Sequence, residues 1–354
     1  MGKTAKRAIE AARQMVADFI GTKPDRIVFT SGASESNNLA IRGMLNHLIT
    51  FERAAITSAT EHDSILNALG SIVGHAIPIY TIPTLDNGSI NVKALEERLI
   101  EDAVGLVCVM HTNNETGTQN DIQAVSELCA QHKAWLHCDY TQAAGSVKID
   151  VNNPRVDSAS ISSHKIYGPK GVGALYLRDF KQHDPIIYGG ESQEWGMRGG
   201  TENVAGIVGF GEACNLASDM LRSDIKHYEK LSRHFNVELS LGMGGSDLYL
   251  PLEDYGIHTR VDSHKILNLR IEGISGEALV MMMDSMGVCI SAGSACRSHE
   301  SEPNSTLIAM GYTEAEARSA VRVSFGRYNT EEEVYVAASK MAECIKTLRR
   351  MPRG

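Results

Sequence analysis

The chain has 354 residues, a net charge of −9 with histidine neutral, and 43% hydrophobic and 22% charged residues. That length exceeds what one hydrophobic core usually supports, so two domains are expected, over 1–218 and 219–354. The acidic balance argues against direct nucleic-acid binding, which needs a basic face. No apolar run approaches the roughly 18 residues of a membrane span, and no secretory signal is visible at the N-terminus.

In chain order, residues 4–20 have helical periodicity (Ala8, Ala12, Met15, Phe19) and stop at Gly21. A short strand over 26–30 leads into the small-residue turn Ser31-Gly32-Ala33-Ser34-Glu35-Ser36 and a helix through Leu39 and Met44. Strand, turn, helix is a geometry that offers backbone N–H groups to a phosphate, although the glycine and lysine spacing of the nucleotide-binding loops is absent. Further strands are expected over 54–57, 76–80, 105–110, 135–139 and 156–161, with helices over 64–69, 91–99 and 121–132 between them. This alternation predicts an α/β domain with a largely parallel, doubly wound sheet.

Polar clusters follow four of these strands: Thr60-Glu61-His62, His111 to Glu115, Asp139 to Gln142, and Ser162 to Lys165. In an open α/β sheet the C-terminal ends of the strands form the edge where ligands bind. Lys165 sits where strand 156–161 gives way to the Gly168-Pro169 loop, and a lysine there can form a Schiff base if its surroundings lower its pKa. An isolated lysine is most simply a surface charge, so it is the company it keeps that singles this one out.

A glycine-rich loop (188–203) leads into a helix starting near Asn203, and 219–230 reads as a long linking helix. The remainder is predicted as a smaller α+β unit, with strands over 266–270, 288–291 and 321–325 and helices over 276–286 and 330–348. Seven cysteines are scattered without CxxC spacing, which is neither a disulfide framework nor a zinc site, and no metal is expected. Most sit among apolar neighbours. Cys296 instead lies in a polar Gly/Ser loop with Arg297 and His299 nearby, where a thiolate is favoured. A reducing, cytoplasmic setting is the simplest reading of this cysteine usage.

A Schiff-base lysine, an aspartate at a strand end, a histidine, a phosphate-ready turn and a loop cysteine together suggest pyridoxal phosphate chemistry. Asp139 would pair with the pyridine nitrogen, His62 would stack on the ring, and Asn114 and Gln142 would donate to its 3′ oxygen. Motifs in order along the chain resemble those of the cysteine desulfurases that supply iron–sulfur clusters and nitrogenase. They include Thr60-Glu61-His62, Asn113-Asn114-Glu115-Thr116-Gly117, Ser163-His164-Lys165, Arg198-Gly199-Gly200-Thr201, Ser294-Ala295-Cys296 and Arg322-Val323-Ser324-Phe325.

The resemblance implies a fold-type I aminotransferase-like architecture: a large domain with a mainly parallel seven-stranded sheet and a smaller C-terminal α+β domain. It implies that Lys165 holds the cofactor and moves the substrate's Cα proton, with His62 assisting. Ala33, Ser34, Ser162 and His164 would bind the cofactor phosphate, and Thr201 would reach the phosphate of the neighbouring subunit in a homodimer. Arg322 would clamp the carboxylate of L-cysteine, Asn114 would also bind substrate, and Cys296 would carry the sulfur as a persulfide to an acceptor protein for iron–sulfur cluster, tRNA or DNA sulfur modification. A selenocysteine lyase or C–S lyase would use the same cofactor residues. Family members open with an arm containing a Tyr-Leu-Asp-x-x-Ala-Thr-Thr pattern. This chain begins at the helix that follows it, so the expectation includes a truncated or variant form, down to a weakly active sulfur-acceptor scaffold.

Overall fold

The computed structural model describes residues 2–72, 77–244, 251–260, 262–293 and 303–351. The chain divides into two compact units. The first comprises Met1–Leu85, Ser89–Thr112 and Asn120–Leu221, and the second Asp86–Gly88, Asn113–Gln119 and Arg222–Gly354.

Among the described residues the first unit holds a seven-stranded sheet. Its strands are β1 (Ile27–Thr30), β2 (Ala54–Ser58), β3 (Ile79–Ile82), β4 (Val104–Met110), β5 (Trp135–Asp139), β6 (Ser158–Ser162) and β7 (Gly173–Leu177). The spatial order is β1-β7-β6-β5-β4-β2-β3. Neighbours from β6 through β3 pair in parallel, and only β7 runs against the rest. Every residue of β4 and β5 is buried, as strands covered on both faces require. The expected strand over 76–80 lies further along, at β3; residue 76 falls outside the described residues. Pro78 has no N–H for the ladder, and its carbonyl accepts from Ala55 N at 2.9 Å just before β3 begins.

Helices α1 (Gly2–Phe19), α2 (Ala33–Arg42), α3 (Leu45–Thr50), α4 (Asp63–Gly70), α5 (Val92–Glu101) and α6 (Ile122–His132) belong to this unit. Helix α1 buries Ile9, Ala12, Arg13, Val16 and Ala17, one stripe at helical spacing. Asn91 and Asp121 cap α5 and α6 by accepting from Ala94 N and Ala124 N. One continuous helix, α7 (Val204–Gly244), replaces the two helices expected between 203 and 230. Its first half adds Ile207, Phe210, Cys214 and Ala217 to the first unit's core.

In the second unit, β8 (Ile257–Arg260), β9 (Ile266–Ile271) and β10 (Ala320–Ser324) form an antiparallel sheet in the order β10-β9-β8. Helices α8 (Gly276–Ser285), α9 (Ser305–Ala309), α10 (Glu314–Arg318) and α11 (Glu331–Arg350) complete it. Thr330 and Glu333 form a capping box at the start of α11. The expected strand over 288–291 reduces to a single bridge between Ser291 and Arg322. Val288 and Ile290 instead pack their side chains against the unit's core. No helix among the described residues is long and apolar enough to cross a membrane.

Candidate active site

Six of the seven strands point the same way, so their C-terminal ends share one edge of the sheet. That edge collects Thr60, Glu61 and His62 after β2, His111 after β4, Asp139 at the end of β5, and Ser162 to Lys165 at the end of β6.

Asp139 is buried, 6% exposed, and both carboxylate oxygens accept hydrogen bonds: Oδ1 from Thr141 N at 2.8 Å and Oδ2 from Asn37 Nδ2 at 2.9 Å. Two such bonds, one to each oxygen, hold the carboxylate in one orientation. Glu61 is the contrasting acid. Its Oε1 accepts from Met110 N at 2.8 Å, Oε2 has no partner, and burial pushes its pKa well above the usual carboxylate range. Its bond to Met110 N ties the ends of β2 and β4 together.

His62 is the N-cap of α4. Its Nδ1 accepts from Ser64 N at 3.1 Å and lies 2.8 Å from Ser64 Oγ. A backbone N–H can only donate, so Nδ1 carries no proton and the neutral ring bears its hydrogen on Nε2.

After β6 a single 3-10 turn, Ser163–Ile166, carries His164 and Lys165. Ser162 is buried, and its Oγ lies 2.9 Å from His164 Nδ1. Burial first, and then the charges of Lys165 and Lys170, hold the His164 pKa below its ordinary value. Lys165 is half-buried at this turn.

The turn after β1 packs directly on β7. A Cβ on Gly173 would meet Gly32 Cα at 2.7 Å and Ile161 O at 2.7 Å, so only glycine admits this approach. Ala33 and Ser34 open α2 there, presenting the helix's first N–H groups. Glu35 Oε2 accepts from Ser31 N at 2.9 Å, and Arg198 Nε donates to Glu35 Oε1 at 2.9 Å. Arg198 belongs to the glycine-rich loop, which is zipped shut by Gly199 N donating to Ile187 O at 2.9 Å and Gly200 N donating to Gln193 Oε1 at 2.8 Å. Thr201, just beyond, is exposed.

This loop contains two non-glycine residues in the left-handed region, Glu194 (φ 42°) and Trp195 (φ 54°). A buried ion pair holds them. Glu194 Oε1 and Oε2 accept from Arg13 Nη2 and Nη1 at 2.7 and 2.8 Å, Oε2 also accepts from Phe29 N at 2.7 Å, and the Arg13 guanidinium lies 4.5 Å from the Trp195 ring centroid. Burial alone would lower the Arg13 pKa, but the bonds and charge of Glu194 outweigh it and the net direction is upward.

Asn114 and Arg322 lie together in the second unit. Arg322 Nη1 donates to Asn114 O at 2.8 Å and to Glu115 Oε1 at 2.9 Å. Glu115, 3% exposed, also accepts from Asn114 Nδ2 at 2.8 Å and, through Oε2, from Asn304 Nδ2 at 3.0 Å.

The model of the aminotransferase class-V family matches residues 1–336. The chain belongs to that family. Among class-V proteins it is similar to the human cysteine desulfurase, 37% identical over 353 residues, covering 99% of this chain and 75% of that one. It is similar to the cysteine desulfurase IscS of Neisseria meningitidis at 38% identity over 352 residues, covering 99% and 84%. A solved structure described as a NifS-like protein superposes with a TM-score of 0.87 at 31% identity, covering 98% and 90%.

In this class-V chain the sheet edge gathers Ala33, Ser34, His62, Asp139, Ser162, His164 and Lys165 within the first unit. Gln142 is half-buried in the turn after β5, and its backbone carbonyl accepts from Ser146 Oγ at 3.1 Å. Cys296 lies outside the described residues. Of the other cysteines, Cys108, Cys129, Cys138, Cys214 and Cys344 are buried, whereas Cys289 is exposed. Burial raises the thiol pKa of each buried one, which leaves it inert. Two residues were given no role from the sequence: Asn37, which touches Asp139, and Glu115, which touches Arg322. Asn37 shares helical spacing with Ala40, Ile41 and Met44, and a polar residue on that apolar stripe is the sequence signal that could have marked it.

Proposed function

We propose that this chain is a pyridoxal phosphate-dependent cysteine desulfurase that converts L-cysteine to L-alanine and carries the sulfur as a persulfide on Cys296. The observation that supports it most is the placing of Asp139, His62 and Lys165 on one sheet edge beside the Gly32 turn, in a chain about 37% identical to a cysteine desulfurase. The residues present fit that cofactor. Asp139 is a buried, oriented carboxylate suited to a pyridine nitrogen, Lys165 is an amine at a strand end, and the α2 N-terminus with Ser162 and His164 suits a phosphate.

When bound, the cofactor supplies an electron sink for charge developing at the substrate's Cα. The residues do the rest. Lys165 holds the cofactor and moves the Cα proton. His62 has Nε2–H to offer, its Nδ1 being engaged by Ser64. Arg322 binds the substrate carboxylate, Asn114 also binds substrate, and the Cys296 thiolate takes the substrate sulfur as the C–S bond breaks. Thr201 reaches the site of a second copy. Tyr188 (81%) and Trp195 (46%), exposed within the same glycine-rich loop as Thr201, fit a homodimer. Buried free thiols fit a reducing cytoplasm, and the persulfide passes to an acceptor protein.

The test is the Cys296→Ala variant with peptide mapping of the wild type after exposure to L-cysteine. A persulfide on the Cys296 peptide, and its loss with sulfur transfer in the variant, supports the desulfurase. Unchanged release of sulfide by Cys296→Ala would point to a C–S lyase.

A further inference from the structure

One asparagine connects the two groups that would hold the cofactor ring. Asn37 Nδ2 donates to Asp139 Oδ2 and to Ser64 Oγ, each at 2.9 Å. Ser64, having accepted from Asn37, is free to donate its hydroxyl to His62 Nδ1 at 2.8 Å. On its other side Asn37 Oδ1 faces His137 Nε2 at 3.0 Å. Because the amide nitrogen must face the carboxylate, the amide oxygen must accept, and His137 must carry its proton on Nε2. His137 Nδ1 is then an acceptor for the Ser158 hydroxyl at 2.9 Å, and Ser158 Oγ in turn accepts from Trp135 Nε1 at 3.1 Å.

Every donor in this chain points the same way: Trp135 to Ser158, Ser158 to His137, His137 to Asn37, Asn37 to Asp139. His137, Ser158 and Asn37 are all fully buried. Burial pushes the His137 pKa down to about 4, so the ring passes a hydrogen bond along without adding a charge. Chains aligned in this sense polarise one another and strengthen the last bond, the one made to the carboxylate.

We infer that Asn37 is a positioning residue which, backed by His137 and Ser158, delivers a polarised hydrogen bond to Asp139 and, through the Ser64 hydroxyl, supports the His62 orientation that the Ser64 N–H already sets. This rests on the cofactor reading above, since it assigns Asp139 to the ring nitrogen. A neutral chain that ends on Asp139 holds that buried carboxylate in one orientation without setting a competing charge beside it.

The experiment compares binding of two ligands to the cofactor-free protein: pyridoxal phosphate and its analogue with carbon in place of the ring nitrogen. Asn37→Leu is expected to weaken pyridoxal phosphate about tenfold, the size of one hydrogen bond to a charged group, while leaving the analogue unchanged within about twofold. His137→Gln, which keeps a donor toward Asn37 and an acceptor toward Ser158, is expected to bind like wild type, and His137→Leu to resemble Asn37→Leu. Thermal melts report folding, and Asn37→Ser carries the same comparison if the leucine variant does not fold. Equal losses for both ligands, or no loss, would overturn the inference. A wild-type protein that takes up no pyridoxal phosphate would overturn the cofactor reading instead, and this inference with it.

Discussion

Arg322 and Glu115 stand 207 residues apart in sequence and 2.9 Å apart in the second unit, Nη1 to Oε1. Their side chains are 18% and 4% exposed. Glu115 accepts from Arg322 with one oxygen and from Asn304 with the other, so the guanidinium is aimed by a carboxylate that is itself fixed. If Arg322 binds the substrate carboxylate, its planar fork matters more than its charge. Arg322→Lys is expected to lower kcat/KM for L-cysteine by about 10- to 100-fold. Glu115→Gln, which keeps the shape and loses the charge, is expected to cost less. Steady-state kinetics on both variants checks the order.

The buried pair of Arg13 and Glu194 anchors a loop whose backbone is strained at two successive residues. Glu194→Ala leaves Arg13 buried beside Trp195 with its carboxylate gone. The expected loss is about 3–5 kcal/mol, the range for breaking a buried pair from one side. The double variant Arg13→Met with Glu194→Gln should recover much of it. Denaturant unfolding followed by tryptophan fluorescence measures the difference, since Trp195 sits at the break.

Gly173 is a second point of control, because β7 and the phosphate-ready turn meet there without a side chain between them. Gly173→Ala should push the turn at Gly32 outward and weaken pyridoxal phosphate binding by at least about tenfold, as misplacing a binding loop does. Gly70→Ala is the control: a Cβ there meets nothing within 4 Å, and binding should not change.

His111 sets a pH dependence of stability. Burial lowers its pKa to about 4, and its ring packs 5.4 Å from that of Tyr140. The unfolded chain takes up the proton near the ordinary value of about 6.5, before the folded protein does. Its contribution to stability is therefore complete above about pH 6.5 and is lost as the pH falls toward 4, by an amount on the order of 3 kcal/mol. Unfolding free energy measured across that window should fall with acid in the wild type and fall less steeply in His111→Asn.

Much of the fold was legible because its signals are local. Strand runs such as 105–110 and 135–139, the caps and the polar clusters at strand ends are all written in short windows, and together they predicted a parallel sheet with one functional edge. The 288–291 run failed because two apolar side chains, Val288 and Ile290, can pack against the core without their backbone joining a ladder. Contacts across long separations were not legible. Nothing near Glu194 announces Arg13, 181 residues earlier. Asn37 and Asp139 meet across 102 residues only because α2 packs over the end of β5. The same holds for Glu115, whose motif was visible while its partners were not.

The most direct measurement adds L-cysteine to the purified protein supplied with pyridoxal phosphate, and follows the absorbance band, alanine and protein-bound persulfide together, with Lys165→Ala in parallel. The expected result is a band that shifts on addition of cysteine, alanine and persulfide appearing in equal amounts, and neither product from the Lys165→Ala protein. A wild-type band that does not move, with no alanine formed, would contradict it.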